Sequence, residues 1–285
     1  MNLTAFASIP YLGEIASLMT ALIWAIAVIL FKKSGEHVHP IALNLFKNSL
    51  AATLIIPTLF LFNVSLVQDV PISDYLILIL SGAIGIGIAD TLFFKSLNLL
   101  GATLSAIVSC VYIPIVFILS MIMLSEKMTL IQYMGTALIV LAVIKVTLLY
   151  KIESHSRHDI IWGVVWGVLA LIGMALGIII AKPILNRSPL LWVTEIRFIG
   201  GLSMLLVLLF TNRNRKKIFS SLFATKSWGY VGSGSFIGAY LALIVWLIGM
   251  KYTTVSISAV LNQMSQIFIF ILAAIFLKEP FDKDR

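Results

Sequence analysis

Three ionisable side chains are the leading candidates among those within strongly apolar segments of the sequence, where a charge is costly unless it is paired or functional. Asp90 occurs in the run GIADTLFF, and Lys47 and Arg197 occur in two other apolar segments, 150 positions apart. In one interpretation, Asp90 binds a proton or a cation and the two bases contact an anionic group. In the other, the charges neutralise one another as a fixed structural set. Glu195 lies nearer the end of its segment, from which a long side chain can extend toward water.

Polar residues recur with helical spacing in two further apolar segments. Ser105, Ser109 and Tyr112 are spaced i, i+4, i+7 and therefore share one helix face. The corresponding residues 153 positions later are Ser258, Asn262 and Ser265, with Gln266 beside the last of them. Polar side chains in a lipid-embedded helix need partners, which a central hydrated cavity supplies, so we predict that all these residues bind a solute. Hydrogen bonding between packed helices is the alternative.

The composition indicates that these segments are embedded in a membrane. Of the 285 residues, 60% are hydrophobic and 11% are charged, whereas soluble domains carry about 25% charged residues. The formal net charge is +8, but much of the excess is the run RNRKK at 213–217. This run directly follows an apolar segment, where basic residues set topology and contact anionic headgroups. We therefore predict contact with a lipid bilayer and no binding of nucleic acid.

Long apolar stretches predict an all-α integral membrane protein. Each has about 18 to 25 residues, enough to cross a hydrocarbon core of about 30 Å as a helix. About nine are present, at 13–31, 41–62, 75–94, 102–124, 130–150, 160–181, 190–210, 228–250 and 254–277. The connections between them are too short to form a soluble domain.

The two halves of the sequence are similar to each other. A shift of 153 positions places 105–128 on 258–281 without a gap and matches polar residues, including Glu126 with Glu279. A shift of 150 suits the earlier helices and matches Lys47 with Arg197. Such self-similarity indicates an internal duplication. A unit of five helices would make the second copy enter the membrane from the opposite face, which is the inverted-repeat architecture of many secondary carriers.

These residues resemble the EamA family of the drug/metabolite transporter superfamily. The resemblance rests on the pattern PIVFILSMIMLSEKMTLIQYMGTALIVLAV, which starts at Pro114, and on IFIFILAAIFLKEP in the second half. Trp24 also stands where the family often has Trp, and Lys47 and Arg197 stand where it often has a basic residue. The resemblance implies two repeats, which we place at 13–150 with five helices and at 160–285 with four.

Two features depart from the family pattern. Ile267 replaces the proline that matches Pro114, and the tenth helix of the family is expected to be absent, which would leave the second repeat truncated.

The resemblance implies a cytoplasmic N-terminus. If the loops are assigned alternately to the two sides of the membrane, more basic residues lie on the side of the C-terminus. The positive-inside rule therefore implies a cytoplasmic C-terminus and an external N-terminus. The sequence leaves the orientation open.

Together these features predict a secondary transporter that exports small metabolites such as amino acids. Alternating access would let the two halves rock around a mid-membrane site. We place the protein in the bacterial inner membrane, and the sequence allows a homodimer. The alternative is a non-transporting accessory membrane protein or a degenerate, truncated paralogue. The sequence contains neither a Walker A motif nor a GxSxG motif, so we expect no enzyme activity, and we expect no cofactor or metal.

Overall fold

A computed structural model describes residues 10–124, 156–253 and 261–278, together with residue 258 and eight residues between 130 and 141. Within these ranges the chain consists of helices joined by short turns. In chain order the helices are α1 (Leu12–Gly35), α2 (Pro40–Leu61), α3 (Ile72–Gly82), α4 (Ala89–Ser109), α5 (Tyr112–Leu124), α6 (Arg157–Leu185), α7 (Leu190–Thr211), α8 (Arg215–Ala224), α9 (Trp228–Ser235), α10 (Ala242–Tyr252) and α11 (Met264–Leu272). Three π-helical segments, Ala83–Ile88, Phe236–Leu241 and Ala273–Leu277, continue α3, α9 and α11.

Six of the described helical stretches are long and apolar enough to cross a membrane. They are Leu12–Gly35, Pro40–Leu61, Ile72–Ser109, Arg157–Leu185, Leu190–Thr211 and Trp228–Gly249, with the shorter apolar helices Tyr112–Met123 and Met264–Leu277 beside them. The described part of the chain is therefore an all-helical, multi-pass membrane protein. The number of nine helices stays a prediction, because most of the fifth predicted helix, 130–150, lies outside the described residues.

The predicted third and fourth helices join in one helical stretch, Ile72–Ser109, with a break at Gly101. Gly101 has φ 79° and ψ 177°, a conformation that glycine adopts without steric cost. A second break follows at Cys110 and Val111, whose amides donate to carbonyl groups only three residues earlier, at 3.1 and 3.0 Å. This break lies one turn before Pro114, whose ring excludes the regular helical hydrogen bond. The predicted fourth helix is thus divided in two.

The second half contains an equivalent break, although Ile267 stands where the first half has Pro114. Helix α11 begins only at Met264, and the amide of Gln266 donates to the Gln263 carbonyl at 3.1 Å. This bond again spans three residues. The tight turn in the second half therefore forms without a proline.

The two central π-helical segments occupy equivalent positions in the two halves of the chain. Both bounds of Phe236–Leu241 lie 153 positions after the bounds of Ala83–Ile88, which is the shift that matches the two halves in sequence. A π-helical segment inside an α-helix leaves backbone carbonyl groups available for other partners and is frequent at functional sites.

Each of these π segments packs through a glycine against the first helix of the other half. A Cβ atom on Gly85 would lie 3.2 Å from the Cα of Gly177 in α6, and one on Gly238 would lie 2.7 Å from the Cβ of Ala27 in α1. Small residues allow such close approach of membrane helices. The two halves consequently pack reciprocally, α1 against α9, α10 and α11, and α6 against α3, α4 and α5.

Polar contacts identify which loops lie together at each end of the bundle. At one end, the amide of His39 donates to Ser221 Oγ at 3.1 Å and joins the start of α2 to α8. We call this the basic end, because α8 begins within the run RNRKK. At the other end, Arg187 donates hydrogen bonds of 2.7 and 2.8 Å to the two carboxylate oxygens of Asp74 and joins the α6–α7 turn to α3. We call this the Asp74 end.

His39 caps α2 at the basic end in its neutral form. Its Nδ1 accepts a hydrogen bond of 3.2 Å from the amide of Ile41, which requires an unprotonated nitrogen. Burial lowers the pKa of His39 below its usual value of 6.5, and nearby Lys95 lowers it further. Folding lowers the pKa of His39, so neutral His39 stabilises the folded protein. This stabilisation is complete above the pKa of His39 in the unfolded chain and is lost as the pH falls from that value through the lower pKa of the folded protein.

We therefore expect the melting temperature of the protein in detergent to fall as the pH is lowered from about 7.5 to about 5.5. The variant His39→Asn keeps a side chain that can cap a helix but cannot titrate, so its melting temperature is expected to fall less over the same range. The comparison isolates His39 from the other histidines. An equal fall in both proteins would assign the pH dependence to another group.

Candidate functional site

A cavity of about 410 Å³ lies between the two halves of the bundle. Its wall contains residues of α1, α2, α4 and α5 from the first half and of α6, α7, α10 and α11 from the second, together with both central π segments. The volume is near the lower end of the range of small-molecule pockets, about 300 to 1,000 Å³. The cavity therefore suits a compact solute.

Eight of the ten predicted site residues line this cavity. They are Lys47, Asp90, Ser109, Tyr112, Arg197, Asn262, Ser265 and Gln266. The other two, Ser105 and Ser258, lie outside its wall. Ser258 is fully buried and accepts a hydrogen bond of 2.9 Å from Ser17, and the Ser105 hydroxyl is buried with no hydrogen-bond partner among the described residues. Solute binding by the two polar faces stays a prediction. In each half of the chain, every predicted residue of the face except the first lines the cavity.

Lys47 and Asp90 form an ion pair in the cavity wall. Their side chains are 7% and 17% exposed, and the Lys47 Nζ lies 5.4 Å from the centre of the Phe94 ring, a cation–π contact. The charges of these two residues compensate each other. For this pair, the geometry favours the interpretation of a structural ion pair over that of two independent binding groups.

Arg197 is not part of this ion pair. Its Nε donates a hydrogen bond of 2.9 Å to Ser81 Oγ, and the Ser81 hydroxyl donates in turn to the Gly177 carbonyl at 2.6 Å. No described carboxylate lies within 4.0 Å of the guanidinium group. The predicted set of three charges therefore consists of one close ion pair and a cation outside contact distance of it.

An asparagine network that the sequence analysis missed holds α2 against the first π segment. The amide nitrogen of Asn44 donates to the carbonyl groups of Ile86 and Gly87, at 3.0 and 3.2 Å, and to Thr91 Oγ1 at 3.0 Å. The amide of Asn48 donates to Asn44 at 2.7 Å. These bonds fix the position of α2 next to α4 and thereby bring Lys47 to Asp90. The sequence signal was the spacing of Asn44 and Asn48 by one helical turn.

The second half contributes a polar contact at Asn262, which lines the cavity beside Trp246. In the amide orientation that satisfies both neighbours, the Asn262 oxygen accepts from Trp246 Nε1 at 3.0 Å and its nitrogen donates to the Ser17 carbonyl at 3.2 Å. Trp24 and Phe93 add aromatic surface to the wall. The cavity thus combines a few polar groups with large apolar rings.

The expectation that Glu195 extends toward water is wrong. Glu195 is 5% exposed, and its Oε2 has no hydrogen-bond partner within the described ranges. It lies in the second turn of α7, which packs against both α2 and α3. Neighbouring helices therefore enclose a carboxyl group that its sequence position placed near a span end.

The cavity extends to the Asp74 end of the bundle. Leu185, the last residue of α6, and Leu190, the first residue of α7, are part of its wall. Toward the basic end, the rings of Phe31 and Phe94 are buried and contact each other edge to face at 5.0 Å between centroids.

Among the residues that the structure describes, no three His, Cys, Asp or Glu side chains come together to hold a metal ion.

These features define a multi-pass membrane protein with a cavity between its helices, whose largely apolar wall carries a few charged and polar groups. The model of the EamA-like transporter family matches the chain twice, over residues 11–148 and 161–285. The chain belongs to this family, and thus to the drug/metabolite transporter superfamily. It is a membrane transporter and not an enzyme.

Two known proteins are similar to the chain over most of its length. An uncharacterized transporter from Methanothermobacter thermautotrophicus is 21% identical over an alignment of 290 residues, which covers 94% of this chain and 80% of that protein. A protein crystal structure superposes with a TM-score of 0.64 at 15% identity and covers 95% of this chain and 90% of that one. This second similarity supports the fold alone.

Proposed function

We propose that the protein is a secondary carrier that exports small metabolites such as amino acids across the bacterial inner membrane by alternating access. The observation that carries the proposal is the central cavity, which contains polar residues from equivalent helices of both halves. A solute site near the middle of the membrane, between two repeats, is the usual arrangement of such carriers.

The proposal includes two inverted repeats, at 13–150 and 160–285. The reciprocal packing of Gly85 on Gly177 and of Gly238 on Ala27 supports it, because an inverted pair exchanges equivalent contacts. The extension of the cavity to the Asp74 end, with aromatic packing toward the basic end, is the arrangement expected of one state in an alternating-access cycle. We expect opening at the basic end to separate Phe31 from Phe94.

Replacing Asn262 by Ala tests the proposal. In proteoliposomes given a panel of radiolabelled amino acids, sugars and amines, we expect the wild-type protein to accumulate at least one solute. We expect Asn262→Ala to reduce that uptake roughly tenfold, because it removes polar contacts worth about 1 kcal/mol each from the cavity wall. Ser203→Ala is the matched control, since Ser203 is exposed and its hydroxyl bonds only to the Ile199 carbonyl of its own helix.

The two possible failures of this experiment have different meanings. Normal uptake by Asn262→Ala would remove Asn262 from the solute site and leave the carrier function intact. The absence of uptake of every solute by correctly folded wild-type protein would instead favour the non-transporting alternative.

A further inference from the structure

The described wall of the cavity carries one more positive than negative charge. Its described Lys, Arg, Asp and Glu residues are Lys47, Asp90 and Arg197. Lys47 and Asp90 form an ion pair, so their charges cancel. Arg197 keeps its charge under all relevant conditions and has no described carboxylate within 4.0 Å. A cation enclosed in a membrane bundle requires a compensating partner, and here the cavity is the space in which one could lie.

The guanidinium group of Arg197 is fixed in orientation before any solute enters. Its Nε donates to Ser81 Oγ at 2.9 Å, while the Ser81 hydroxyl hydrogen is used by the Gly177 carbonyl at 2.6 Å. The Ser81 oxygen therefore accepts the hydrogen bond from Arg197, while its only hydrogen is donated elsewhere. The bond holds the plane of the guanidinium and leaves its two terminal nitrogens as donors, the geometry that binds a carboxylate through two parallel hydrogen bonds.

The absence of a side chain at Gly85 makes room for this arrangement. A Cβ atom on Gly85 would lie 3.4 Å from Nη2 of Arg197, so any larger side chain would occupy the space beside the terminal nitrogens. Gly85 belongs to the first π segment, which thus borders the guanidinium group of Arg197.

The rest of the wall, as far as the structure describes it, offers no equivalent charge for an ammonium group. The carboxylate of Asp90 is already paired with Lys47, and the other polar groups of the wall are neutral, among them Tyr112, Asn262 and Gln266. The site is thus asymmetric, with a strong anion contact and only neutral contacts for the rest of the solute.

We propose that Arg197 is the carboxylate-binding residue of the cavity, and that the protein recognises its solute as an organic monocarboxylate, whether or not the solute carries an amino group. This inference rests on the proposed carrier function and names the chemical class of the solute. Aromatic rings such as Trp24 and Trp246 line the space for an apolar body.

Matched solutes test this proposal on the wild-type protein. For each amino acid that proteoliposomes accumulate, uptake is measured in competition with its carboxamide, which lacks the negative charge, and with its des-amino acid, which lacks only the amino group. L-Leucine, L-leucinamide and 4-methylpentanoate form one such set. We expect the des-amino acid to compete within about tenfold of the amino acid and the carboxamide to compete roughly 100-fold less well, the factor expected for loss of an enclosed charge pair.

Variants locate the effect at Arg197. Arg197→Gln is expected to abolish the preference for the acid over the amide, and Arg197→Lys to retain part of it, because Lys keeps the charge but not the paired donors. Lys33→Gln, which breaks only an exposed ion pair with Glu36, is the control and should keep the full preference. The comparison of solutes on the wild-type protein decides the question even if the Arg197 variants fold poorly.

Four outcomes would overturn the proposal. Equal competition by acid and amide would reject carboxylate recognition while leaving the carrier function in place, as would accumulation of sugars or amines alone. An unchanged preference in folded Arg197→Gln would reject the residue. No accumulation of any solute would reject the proposed carrier function and this inference together.

Discussion

Replacing Asp90 by Asn is expected to lower the free energy of unfolding by about 3 to 5 kcal/mol, the cost of leaving one member of a buried ion pair without its partner. Lys47 would then lack its partner at a side chain that is only 7% exposed. Its contact with the Phe94 ring, at 5.4 Å, exists with and without Asp90 and therefore does not offset this loss. The effect is measured by thermal or denaturant unfolding in detergent.

Two further variants test whether the loss of stability comes from the unpaired charge of the buried ion pair. The double variant Lys47→Gln with Asp90→Asn removes both charges, so we expect it to recover most of the lost stability, since a neutral pair leaves no buried charge unpaired. Glu36→Gln breaks the exposed ion pair of Lys33 and Glu36, with side chains 36% and 43% exposed, and should cost less than about 1 kcal/mol. A double variant no more stable than Asp90→Asn would contradict the interpretation as a structural pair.

Transport by the same double variant answers a different question. If Asp90 serves only as the partner of Lys47, the neutral double variant retains uptake. If Asp90 also carries a proton or cation during the transport cycle, uptake is lost although the fold is stable. Both interpretations left open by the sequence are thereby tested with one protein.

The helices and one of their breaks could be predicted from the sequence, because those features depend on local properties. Long apolar stretches must be helical in lipid, where every backbone polar group needs an internal partner. Pro114 prevents a regular hydrogen bond at the turn before it, and the structure has its break there. Eight of the ten predicted site residues line the cavity, because a polar side chain in an apolar helix is excluded from the lipid-facing surface.

The pairing of the charges could not be predicted in the same way, because it depends on the rotation and depth of whole helices. Lys47 and Arg197 are equivalent in the two halves, yet only Lys47 meets Asp90. The decisive contacts are those of Asn44 with the π-segment carbonyls, which set the position of α2. Glu195 is enclosed for a similar reason, since the packing of α2 and α3 around α7 is a property of the assembled bundle.

The shortest approach at any described glycine leads to the second large expected effect, at Gly82. A Cβ atom on Gly82 would lie 1.8 Å from the carbonyl oxygen of Arg197, and one on Gly200 would lie 2.1 Å from the carbonyl oxygen of Ile79. In both cases the obstacle is backbone, which cannot rotate away as a side chain can. Helices α3 and α7 therefore approach each other through two glycines, as small residues allow in membranes.

We expect Gly82→Ala to destabilise the protein by about 3 kcal/mol or more, at the upper end of what overpacking costs, because α3 and α7 would have to separate. The matched control is Gly232→Ala, where no atom lies within 4 Å of the added Cβ. There the better helix propensity of Ala should stabilise the protein by up to about 1 kcal/mol. Unfolding temperatures and the yield of monodisperse protein in detergent give the comparison.

The two glycine variants also connect packing to the site. Arg197 supplies both the carbonyl that faces Gly82 and the guanidinium that lines the cavity, so a separation of α3 from α7 would move the proposed carboxylate contact away from Ser81. Any Gly82→Ala protein that remains folded is therefore expected to lose the preference for acids over amides, whereas Gly232→Ala should keep it. Similar stability and preference in the two variants would show that α3 and α7 do not depend on this contact.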